Sequence, residues 1–110
     1  MRRIYYSSGS VLTSDDVATA IMEYAEALTE EGRSDIVDLP TVLESGTAGS
    51  ATLLISPASQ LASVTEESNL AEPDGEALVL ELRRRTDRLA DPRPEAHRYA
   101  EYLSSPEEYE

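Results

Sequence analysis

The chain has 110 residues, enough for one small domain with an appended segment. It contains no Cys, which excludes a disulfide framework, thiol chemistry and thiolate metal sites. A net charge of −13 disfavours nucleic acid or an anionic membrane as a general partner, and no run approaches membrane-spanning length.

Leu, Ile and Val total 23 residues, Phe and Trp are absent, and all six aromatics are Tyr. The core is therefore expected to be thin, because small domains bury proportionally less of their surface. Self-association would enlarge it, so a homodimer is expected. The start "MRRIYYSS" lacks the apolar stretch of a signal peptide, which predicts a cytoplasmic chain.

Arg2–Tyr6 is the first strand candidate, and "SSGS" after it forms a Ser/Gly loop that leads into a helix. In that helix Val17, Ile21, Tyr24 and Leu28 recur at helical spacing, with Glu23, Glu26 and Glu30 opposite. Thr13 or Ser14 can cap its start, Asp15 and Asp16 suit the first turn, and Gly32 stops it. "DIVDLPTVL" (35–43) and "SATLLIS" (50–56) read as two strands of a hairpin joined by "ESGTAGS". Pro40 cannot donate to a sheet ladder, so the first of these strands is expected at an edge or bulged. "SPASQLASVT" fits either a short helix carrying Leu61 and Val64 or a further strand, and residues 57–65 stay open between the two.

Residues 66–75, "EESNLAEPDG", are polar, end in turn formers and read as a linker. A second helix over 75–90 places Leu78, Val79, Leu82 and Leu89 on one side and Arg84 and Arg88 opposite, with Leu80 off the stripe. "DPRP" ends it, and Pro94 begins a shorter helix bearing Ala96, Tyr99, Ala100 and Leu103. The acidic tail over 104–110 is expected to be disordered. The reading is thus an α+β fold, a single small domain of order β-α-β-β followed by one or two C-terminal helices, with a three- or four-stranded sheet. Its parts are an α/β body (1–65), a linker (66–75), C-terminal helices (76–103) and the tail (104–110).

No catalytic or cofactor constellation emerges. The Ser/Gly loop has one glycine, Gly9, where a phosphate cradle needs several, and Asp15 and Asp16 already occupy the positive end of the helix dipole. Ser7, Ser8 and Ser10 have no base near them in sequence, since His97 is the only His. His97 and Glu101, with Asp91 or Glu95, have the spacing of metal ligands but read better as a solvated helix face with Glu–Arg pairs. No metal and no cofactor is expected. Arg83, Arg84, Arg85 and Arg88 suit an acidic protein surface better than nucleic acid. Tyr99, Tyr102 and Leu103 are spaced like an amphipathic peptide that lies in a partner's groove.

The β-α-β-β-α order, with a glycine-containing hairpin leading into "ATLLISPASQL", is similar in outline to the small antitoxins of the Phd/YefM type. The resemblance covers the topology of residues 1–65. It implies an N-terminal half that dimerises and binds operator DNA, and an acidic C-terminal segment that wraps a toxin. "ESGTAGS" has no basic residue and residues 1–32 are acidic, so it is toxin wrapping, not DNA binding, that carries over. The expectation is a small acidic, non-enzymatic protein-interaction module, homodimeric, engaging another protein through 76–110, with Arg84, Arg88, Tyr99, Tyr102 and Leu103 as contact residues. An antitoxin-like regulator is the alternative.

Overall fold

The computed structural model describes residues 1–90. The expected third helix and the tail lie outside the described residues. Those described form an α+β fold of five antiparallel strands and two helices. In chain order these are β1 (Arg2–Tyr6), β2 (Gly9–Thr13), α1 (Asp15–Glu30), β3 (Asp35–Val42), β4 (Ala48–Ile55), β5 (Ala62–Thr65) and α2 (Glu76–Ala90). The sheet order is β4-β3-β2-β1-β5. No helix among the described residues is long and apolar enough to cross a membrane.

The Ser/Gly loop is the first correction. Gly9–Thr13 is a strand, paired with β1 from Tyr6↔Gly9 to Arg2↔Thr13, and only Ser7 and Ser8 form the turn. β2 lacks the alternation that marks a half-exposed strand, because Leu12 and Thr13 are both buried although they point to opposite faces. The order β-α-β-β-α on which the Phd/YefM likeness rests is accordingly β-β-α-β-β-β-α. After "ATLLIS" comes a turn and then β5, not a helix, which settles the open stretch 57–65 as loop plus strand. β5 joins β1 antiparallel, from Arg2↔Thr65 to Tyr5↔Ala62, and with β2 it raises the sheet to five strands.

α1 matches its sequence signals. Ser14 caps it by accepting from the Val17 N–H at 3.2 Å, while Thr13 instead donates to the Pro40 carbonyl at 2.7 Å. Gly32 takes φ +64, and Arg33 N–H reaches the Leu28 carbonyl at 2.9 Å, closing the helix with a Schellman turn. Val17, Ile21, Tyr24 and Leu28 are all buried.

Pro40 lies on an interior strand, so of the two expectations, an edge or a bulge, the edge fails. The sheet tolerates it because the β2–β3 ladder is reduced to one pair, Leu12↔Val42, so the missing N–H faces a place where pairing has ended. α2 packs on α1, and Val79 and Leu82 join the same core as Ile4, Ile21, Leu39 and Ile55. Gly75 permits this docking: a side-chain carbon there would lie 2.3 Å from Val17 Cγ2 and 3.2 Å from Pro40 Cγ. Before it, residues 66–74 form a strap without helix or strand. Glu66 pairs with Arg3 on β1, and Leu70 lies against Gly46 in the β3–β4 turn.

Candidate functional site

On the helix side, Asp35 at the start of β3 is the hub of a polar cluster. Tyr24 Oη donates to Asp35 Oδ2, Arg85 Nη1 approaches the same oxygen at 3.1 Å, and Ile36 N–H donates to Oδ1 at 2.8 Å. Arg85 Nε also binds Glu81 Oε2 at 2.9 Å, and Arg84 Nη1 binds Glu81 Oε1 at 2.7 Å. The bond from Tyr24, then the Ile36 N–H and Arg85, hold the Asp35 carboxyl below its usual range. Burial, followed by the Asp35 carboxylate, pushes the Tyr24 phenol up. Tyr24 is thus a fixed donor and Asp35 a fixed acceptor. The cluster clamps α1, β3 and α2 together and has no group poised as a base near neutral pH. A cavity of about 250 Å³ adjoins it, lined also by Arg33 and Arg88.

The other side has a different character. Ser45–Thr65 is a run of 21 residues without one charge, in a chain whose charged fraction is 28%. It supplies β4, the loop after it and β5, hence both edges of the sheet. On the face away from the core, Ile36 and Leu54 stand directly opposite each other across β3 and β4 and are 61% and 66% exposed.

Hydrogen-bond parity fixes which backbone groups of β4 face outward. Leu43 N–H donates to the Thr47 carbonyl at 2.8 Å, so this pair is of the hydrogen-bonded type. The register runs unbroken from Val42↔Ala48 to Asp35↔Ile55. Gly49, Ala51, Leu53 and Ile55 therefore direct their N–H and C=O to β3. Ala48, Ser50, Thr52 and Leu54 direct theirs to the free edge. The Pro40 carbonyl obeys the same parity, since it points away from β4 and accepts from Thr13. Beside Thr52–Leu54 lies a cleft of about 420 Å³, bounded across from β4 by Tyr6, Ser7, Ser8 and the loop Ala58–Leu61.

The residues singled out from sequence scatter. Arg84 is exposed and held by Glu81, and Arg88 lines the small cavity by Asp35. Tyr99, Tyr102 and Leu103 lie outside the described residues, as do His97, Glu101, Asp91 and Glu95. Among the described residues no group of three or more His, Cys, Asp or Glu is placed to hold a metal. Ser7 and Ser8 form a hairpin turn that borders the cleft at β4. Sequence reasoning missed the β4 edge, although the gap in charge from Ser45 to Thr65 was a readable signal for it. No family model, curated protein or solved structure matches the chain.

Proposed function

We propose that this chain is a small non-enzymatic protein-interaction module that docks through the β4 edge of its sheet. One observation carries the reading: the uncharged run coincides with an eight-residue edge strand bearing outward backbone groups and the exposed pair Ile36–Leu54. Edge strands are normally guarded by charges, Pro or bulges, and β4 has none of these. Unguarded edges of this kind serve as templates for strand addition.

The segment 76–90 is a weaker candidate for the docking arm, because Val79 and Leu82 are already spent in the core. Its outward contribution is the arginine face, where Glu81 engages Arg84 and Arg85.

A photo-reactive residue in place of Leu54 tests the reading in cells that produce the full chain. A discrete covalent adduct is expected at that position and not when the same residue replaces Glu30 on the exposed side of α1. Absence of an adduct at Leu54, or equal labelling at both positions, overturns the proposal.

A further inference from the structure

Resting on that reading, we infer that the occupant of the β4 edge is a second copy of this chain, paired antiparallel through β4 about a two-fold axis at Ser50.

Charge is the first argument. Two copies each carrying −13 repel over most of their surface, and a contact made through Ser45–Thr65 opposes no two charges directly. An uncharged edge is what an acidic chain needs to meet itself.

Backbone geometry is the second. Of the four residues that face outward, Leu54 has its carbonyl 3.5 Å from the Ser59 hydroxyl, which leaves Ala48, Ser50 and Thr52, a set symmetric about Ser50. A two-fold axis normal to the sheet places Ser50 opposite its own copy and Ala48 opposite Thr52 of the partner subunit. Each such pair exchanges two bonds, so the contact makes about six hydrogen bonds. All three side chains are small, and no bulge interrupts the strand. Shifting the axis to Thr52 would draw in Leu54, whose carbonyl already has the Ser59 hydroxyl 3.5 Å away.

The same register makes a third, independent match. It sets Leu54 opposite Gly46 of the partner subunit, the residue against which Leu70 of the partner subunit packs. Leu54 and Leu70 are both large exposed apolar residues in the single chain. It also directs the partner's β3–β4 turn toward the cleft between Thr52–Leu54 and the Ser7–Ser8 turn. Hydroxyls line that cleft, and the incoming turn offers Ser45 and Thr47, which bond each other at 2.8 Å in the single chain.

The test uses the purified full chain. Light scattering is expected to give twice the chain mass, and Ser50→Pro the single mass with an unchanged circular dichroism spectrum. Proline is tolerated there because the Ser50 N–H takes no part in the ladder with β3. Ser50→Cys adds the only thiol of the molecule. It is expected to form a covalent dimer on mild oxidation, since opposed residues lie about 5.5 Å apart, within disulfide reach. A Glu30→Cys control, with its thiol on α1, is expected to give no covalent dimer under the same oxidation. A wild-type chain at single mass overturns the inference, and so does a dimer that survives Ser50→Pro and fails to cross-link at position 50. If the purified chain is monomeric while Leu54 labels a different protein in cells, this inference falls and the interaction-module reading stands. If neither occurs, both fall.

Discussion

On the helix side Asp35, Tyr24, Arg85 and Glu81 satisfy one another within the chain, whereas along β4 the outward backbone groups of Ala48, Ser50 and Thr52 have no protein partner among the described residues. The first arrangement consumes its polar groups to hold three elements together. The second leaves them at an edge without charge. The two edges of the sheet repeat the contrast on a smaller scale. β5 has four residues, and Arg2 of β1 reaches across to it, binding Ser63 Oγ at 2.7 Å and the Ser63 carbonyl at 2.9 Å. β4 has eight residues and no arginine over it. Polar groups that close on themselves report on folding. Those left unguarded are the ones the proposed contact uses.

The contrast can be broken at three points, from the largest effect to the smallest. Leu82 is 0% exposed and lies where α2 meets the core. Leu82→Ala is expected to destabilise the fold by about 3 kcal/mol, read by urea unfolding. A loss below about 1 kcal/mol would mean that α2 is no part of the core.

Two neighbouring prolines sharpen the parity argument on β4. Ala51 N–H faces the Leu39 carbonyl, so Ala51→Pro removes a ladder bond and strands a buried acceptor, at a cost of about 2 kcal/mol. Ser50→Pro, one residue away, is expected to leave the chain folded. Equal melting shifts for the two variants would show that the outward and inward assignments are wrong.

The smallest effect concerns acid. Asp35 titrates in the fold below its ordinary value of 3.8, because the folded state favours the carboxylate. Its contribution to stability is therefore complete above about pH 4. It disappears as pH falls through the lowered folded value. The group is partly exposed and screened, so the contribution is on the order of 0.5 kcal/mol. Asp35→Asn is expected to flatten the stability profile below pH 4 without moving the association proposed for the β4 edge. A steeper acid loss in the variant would remove Asp35 from the clamp.

Much of the fold was legible from local pattern. The stripe Val17–Ile21–Tyr24–Leu28, the Ser14 cap and the Gly32 stop define α1 within a few residues of chain, and the Gly-containing turn did the same for β3–β4. α2 announced its buried face through Val79 and Leu82, with Leu80 outside it. β2 escaped because alternation is a signal only when one face is wet, and Leu12 is 4% exposed on the face away from the core. β5 escaped because four residues are too few to separate strand from helix by period.

The sequence by itself determined where helices start and stop, which of their faces is apolar, and that one third of the body carries no charge. These are properties of neighbours along the chain, set by capping, periodicity and composition. Only the tertiary structure decided that β5 crosses to pair with β1, that Pro40 can sit on an interior strand, that α2 returns onto α1, and that the uncharged stretch becomes the free edge of the sheet. Strand partners and edges depend on contacts between residues far apart in sequence. No local pattern encodes them, because a strand looks the same whether or not another lies beside it.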